Sequence, residues 1–120
     1  EATTDPSCVV AIVSRWVYQA AREVFARNGV LPVIAPEWAP LPEDHPYAHL
    51  QNHSYSFAKL EAFRLSQFER VAYFDVDVLF MRNASSLLGV APFAASRTPK
   101  GRDPSRYINA GVMVLKPSLQ

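Results

Sequence analysis

An unbroken apolar run, Cys8-Val9-Val10-Ala11-Ile12-Val13, gives way after Arg15 to apolar residues three and four apart: Val17, Ala20, Ala21, Val24 and Phe25. A continuous β-branched run reads as a strand covered on both faces, and the change to helical spacing predicts an amphipathic helix over Arg15 to Asn28. Asn28-Gly29 supplies its C-terminal stop, and Val30 to Ile34 resumes as a strand. Strand, helix and strand with short joints make a βαβ unit, so a parallel sheet and the α/β class are expected.

What surrounds this unit is bounded by size and charge. The chain has 120 residues, 49% of them hydrophobic, enough for one core and too few for two complete domains. A net charge of +1, with no run of five like charges, gives no field for gathering nucleic acid or anionic lipid. The longest apolar stretches are strand-sized, far short of the roughly 20 residues a membrane helix needs, so no membrane contact is expected. The single cysteine, Cys8, allows neither an internal disulfide nor a cysteine zinc site, and within its apolar run it reads as a small buried residue. The chain opens on Glu1 without a recognisable leader, and the natural N-terminus is expected upstream.

From Pro36 to His53 the pattern dissolves into prolines, acids and the histidines His45, His49 and His53, a long connection whose histidines read as surface residues. Ser54 can cap a helix over Tyr55 to Phe68, whose apolar residues cover most of its circumference and predict burial. Its Glu61 and Arg64 are spaced to pair. A strand follows across Arg70 to Phe80, then a short helix from Asn83 to Leu88, a short strand from Phe93 to Ser96, a charged loop from Arg97 to Arg106 and a last strand from Tyr107 to Leu115.

Asp75 and Asp77 are the sharpest chemical feature. They stand at or just beyond the end of an apolar strand, and residues two apart in extended chain project to the same side. Two carboxylates that close repel, and a divalent cation turns the conflict into attraction. An oxygen-only pair favours Mg²⁺ or Mn²⁺ and leaves coordination positions for phosphates. The plainer reading is a pair of solvated strand-end acids. Against it stands the apolar run on either side, since ligands of open α/β sheets bind beyond the carboxyl ends of strands.

The stretch Ser56-Phe57-Ala58-Lys59-Leu60-Glu61-Ala62-Phe63-Arg64, the run Val71-Ala72-Tyr73-Phe74-Asp75-Val76-Asp77-Val78-Leu79 and the later Tyr107-Ile108-Asn109-Ala110-Gly111-Val112-Met113-Val114 together resemble the glycogenin-like family 8 glycosyltransferases. The resemblance covers about Ser54 to Ser118. It implies a Rossmann-like GT-A fold, incomplete at both ends and forming a single partial domain over residues 1–120. It also implies Mn²⁺ or Mg²⁺ as cofactor, a UDP-sugar donor, a glycan or protein acceptor, and transfer with retention. On this resemblance Asp75 and Asp77 are metal ligands, the Val76 backbone lies near the ribose, Lys59 near the donor diphosphate or sugar, and Asn109 and Ala110 line the sugar pocket. Read on its own, Lys59 is a solvent-facing helix lysine, and Asn109 followed by Gly111 suits a strand bulge equally well.

The chain departs from the family in lacking an earlier nucleotide-contacting strand and the later His-x-x-Gly-x-x-Lys segment. Arg97 stands where members tend to place a carboxylate, and Asp103 is a possible substitute. No residue is assigned as nucleophile. Arg97, Lys100, Arg102 and Arg106 form a basic loop that reads as solvated or as attracting a diphosphate. The reading is therefore of an interior section of a catalytic domain, with poor stability, exposed strand edges and little activity alone. Two alternatives stay open: a haloacid-dehalogenase-like phosphatase using Asp75 and Asp77, and a non-catalytic binding fragment. The sequons at Asn52 and Asn83 leave cytosol and Golgi lumen equally open.

Overall fold

In the computed structural model, residues 8–37, 42–46, 57–97 and 108–118 are described. The chain divides into two compact units, Glu1–Glu61 and Ala62–Gln120.

In the first unit, β1 (Val9–Val13) and β2 (Val30–Ile34) form a two-stranded parallel sheet, registered from Val9 opposite Val30 to Val13 opposite Ile34. Between them runs α1 (Arg15–Arg27). The βαβ unit is thus as the sequence predicts, with the helix one residue shorter. Ser14 caps it, its hydroxyl accepting from the Val17 N–H at 3.4 Å, and Asn28 closes the other end by donating from its N–H to the Val24 and Phe25 carbonyls at 3.2 Å. Gly29 then turns the chain into β2 at φ 65°, a left-handed conformation that costs other residues more. Nothing lies within 4 Å of where a Cβ on Gly29 would stand, so the cost of Gly29→Ala is backbone strain alone. A loss of about 1 kcal/mol is expected, read as a shift of the urea midpoint at constant slope.

Cys8 is exposed rather than buried. It precedes the first paired residue of β1, and Val9 itself is 57% exposed, so the apolar run begins outside the covered part of the sheet.

The segment expected as an α-helix over Tyr55 to Phe68 is, within residues 57–64, a 3₁₀ helix. With three residues per turn, side chains at i and i+3 eclipse. Phe57, Leu60 and Phe63 accordingly share one row and all stay exposed, while Glu61, Ala62 and Leu65 are buried. The tighter winding replaces the all-round burial that 3.6 spacing implied.

The second unit carries β3 (Val71–Phe74), β4 (Ala94–Arg97) and β5 (Ile108–Leu115) in the order β3-β5-β4. Both pairings are antiparallel. The parallel expectation holds only where a helical crossover enforces it; a strand paired through turns and loops is free to run the other way. The sheets are therefore mixed, a small α/β arrangement with one parallel and one antiparallel pairing pattern. Met113, Val114 and Leu115 on the central strand are all buried, and three consecutive buried residues mean that both faces are covered there. Ala62 and Leu65 join this core, and the Ser118 N–H donates to the Phe63 carbonyl at 3.0 Å.

Ahead of β3, the Arg70 guanidinium donates to the Leu88 and Val90 carbonyls, both at 3.0 Å, and so pins the short 3₁₀ helix Ser85–Gly89. Asn83 precedes this helix in an Asx turn, its Oδ1 accepting from the Ser85 N–H at 2.8 Å, while the N-cap position is Ala84, without a side-chain cap. No helix among the described residues is long and apolar enough to cross a membrane.

Candidate functional site

β3 ends one residue before the first aspartate. The chain then turns back, with the Val78 N–H donating to the Asp75 carbonyl at 3.1 Å. Asp75 and Asp77 therefore share a tight turn and not an extended strand, which corrects the expectation that strand alternation aims them to one side. Phe80 packs edge-on against Phe74 at a centroid distance of 4.7 Å, tying the far end of the loop back to the strand.

Asp75 is half-buried and its surroundings are specific. Its backbone N–H donates to the Gly111 carbonyl at 2.8 Å, extending the β3–β5 ladder one residue beyond the Phe74–Val112 pair. Its Oδ1 accepts from the Tyr73 hydroxyl at 2.8 Å. On β5 the Gly111 N–H donates to Asn109 Oδ1 at 2.8 Å. A Cβ built on Gly111 would stand 2.9 Å from Asn109 Oδ1 and 3.2 Å from Asp75 Oδ2, so the Asn109 amide and the Asp75 carboxylate close on the same bare Cα.

The other edge of β5 carries a bulge at the same residues. On β4, Ala95 faces Met113 while its neighbour Ser96 faces Asn109, so residues 110–112 of β5 lie between successive partners. Such an insertion bends a strand and re-aims its side chains. The Ser96 hydroxyl donates to the Asn109 carbonyl at 3.1 Å and holds the far side of the bulge. Of the two readings of Asn109-Ala110-Gly111, the structure shows the bulge.

The remaining predicted residues fall as follows. Val76 and Asp77 are exposed on the turn, Ala110 is half-buried in the bulge, and Lys59 is half-buried on the 3₁₀ segment of the first unit. His45 is exposed, as expected of a surface histidine; His49, His53, Lys100, Arg102, Asp103 and Arg106 lie outside the described residues. Arg97 ends β4, exposed.

By sequence pattern Tyr73 is one more apolar strand residue. Its signal was the same period of two, which puts it on the face of Asp75. Its phenol is held well above the ordinary range, foremost by burial, then by the hydrogen bond to Asp75 and by the negative charges of Asp75 and Asp77. Both carboxylates are thus felt at one hydroxyl, which stays a proton donor at every physiological pH.

The donor chemistry suits a hard cation: carboxylate oxygens of Asp75 and Asp77, with the Asn109 amide close to the former. Among the described residues no cluster of three or more His, Cys, Asp or Glu occurs, so water or phosphate oxygens would have to complete the coordination. An open hollow of about 230 Å³, lined mainly by apolar residues that include Leu87, Val90, Ala95, Val112 and Met113, contains none of Asp75, Asp77 and Asn109. Comparison with family models, with curated proteins and with solved structures returns no match, so the chemistry of this chain is read from the cluster of Asp75, Asn109 and Gly111 itself.

Proposed function

We propose that the chain is part of a metal-dependent glycosyltransferase of the GT-A type that handles a UDP-sugar. The observation that carries the reading is the meeting of Asp75 with Asn109 and Gly111, two motifs 34 residues or more apart in sequence that the family resemblance assigns to one donor site. Asp75 and Asp77 are proposed to hold Mn²⁺ or Mg²⁺ through carboxylate oxygens. When bound, such an ion neutralises the charge that grows on the departing diphosphate. The Val76 backbone, exposed at the head of the turn, is proposed to face the ribose. Asn109 and Ala110 would line the sugar pocket, where the amide pinned to the Gly111 N–H is pre-oriented at no cost to binding. No nucleophile is assigned.

Calorimetric titration of UDP into the chain with Mn²⁺ and then with EDTA tests the reading. Binding is expected only with the metal, and Asp77→Asn is expected to weaken it by more than the roughly 10–100-fold typical of an outer-shell change. UDP affinity indifferent to metal or to Asp77→Asn would overturn it. Mg²⁺-dependent phosphatase activity abolished by Asp75→Asn would replace it with the haloacid-dehalogenase-like alternative.

A further inference from the structure

We infer that Tyr73 is a positioning residue for the metal site, its hydroxyl fixing the torsion of the Asp75 carboxylate so that the ligand is presented in one orientation; the inference rests on the proposed metal role of Asp75.

Three observations converge on this carboxylate. The Asp75 N–H is tied to the Gly111 carbonyl at 2.8 Å, which fixes the backbone from which the side chain springs. The Tyr73 hydroxyl donates to Oδ1 at 2.8 Å, which fixes the rotation of the carboxylate about its own bond. Gly111 lacks the Cβ that would press on Oδ2 from 3.2 Å, so the opposite side keeps the room this rotation needs. Terminal carboxylate torsions are broad when left alone. A donor bolted to the strand narrows them before any ligand arrives, and Tyr73 is such a donor, since its backbone pairs with Met113 at the centre of the β3–β5 ladder.

Asp77 is treated differently. It is exposed on the turn, while Asp75 is half-buried. The pair is thus asymmetric: one carboxylate preset by the sheet, the other exposed to solvent on the turn. Outer-shell partners of this kind orient ligating carboxylates, and their loss typically weakens metal affinity about 10–100-fold.

A part-buried tyrosine hydroxyl also takes a nearby acceptor simply to satisfy itself. That purely structural role would be felt in stability and leave metal affinity untouched, so the two are separable. Mn²⁺ binding to the full chain, followed by loss of the free-ion electron paramagnetic resonance signal, is measured for the native chain, Asp75→Asn and Tyr73→Phe. Tyr73→Phe is expected to weaken Mn²⁺ about tenfold. Two side chains of tyrosine's size placed at position 73 keep the test sharp should the phenylalanine variant fail to fold. 4-Aminophenylalanine, which donates, is expected to preserve affinity; 4-methylphenylalanine, which does not, is expected to lose it. If Asp75→Asn destroys binding while Tyr73→Phe or the 4-methyl variant binds Mn²⁺ as the native chain does, the positioning role is overturned and the metal site stands. If the native chain holds no Mn²⁺, or Asp75→Asn holds it equally well, the metal site falls and the inference falls with it.

Discussion

Leu115→Ala is expected to destabilise the chain by about 3 kcal/mol, within the 2–5 kcal/mol typical of removing a buried leucine side chain. Leu115 is 1% exposed, the largest side chain so fully covered among the described residues, and it ends the central strand opposite Val71. Its neighbours Met113 and Val114 are nearly as well buried, so little can collapse into the space left behind. A unit of about sixty residues holds only roughly 3–9 kcal/mol in total, so one truncation here removes a third or more of it. Leu79 is the control: at 80% exposure its replacement by alanine is expected to cost less than about 0.5 kcal/mol. Urea unfolding followed by circular dichroism reads both, and equal losses at the two leucines would show that β5 does not carry the core.

Much of the scaffold is written locally in the chain. β1, α1 and β2 follow from a β-branched run, a 3.6-residue spacing and an Asn28-Gly29 stop, all contained within a few residues of where they act. The last strand is equally plain, expected from Tyr107 and found from Ile108. What local pattern does not encode is pairing. Strand direction in β3-β5-β4 depends on which segments meet, and an apolar run reads the same whichever way its neighbour points. The 3₁₀ winding of residues 57–64 is hidden for a related reason: helix formers such as Ala58, Leu60 and Ala62 suit either helix, and only the exposed row of Phe57, Leu60 and Phe63 reveals the period of three.

The site divides along the same line. That Asp75 and Asp77 stand just past a strand was legible from the apolar residues before them. That they sit on a turn was not, because nothing in Val76 or Val78 announces one, and the turn is fixed by a single N–H from Val78 to the Asp75 carbonyl. The meeting of Asp75 with Gly111 follows from the register of β3 on β5, a long-range pairing that no local pattern in either strand encodes. Tyr73 is hidden in the sequence because its ring satisfies the strand pattern by itself, and its hydroxyl becomes informative only once Asp75 is placed beside it.

Gly111→Ala is expected to weaken UDP binding in the presence of Mn²⁺ about a hundredfold, while costing the fold only about 1 kcal/mol. Gly111 does not owe its identity to backbone conformation, since Gly29 is the glycine of positive φ among the described residues. It owes it to space. An added methyl would stand 2.9 Å from Asn109 Oδ1, closer than carbon and oxygen tolerate, and 3.2 Å from Asp75 Oδ2. The Asn109 side chain is exposed and swings aside at small cost, which is why stability is largely spared. In moving, however, it gives up the Gly111 N–H that holds its Oδ1 at 2.8 Å, and Asp75 is pressed off the rotation set by the Tyr73 hydroxyl. Both groups proposed to meet the donor are displaced by one methyl group. Thermal melts beside UDP titrations separate the two consequences, and an alanine variant that binds UDP and Mn²⁺ as the native chain does would show that the close approach of Asp75 and Asn109 at this glycine has no part in the site.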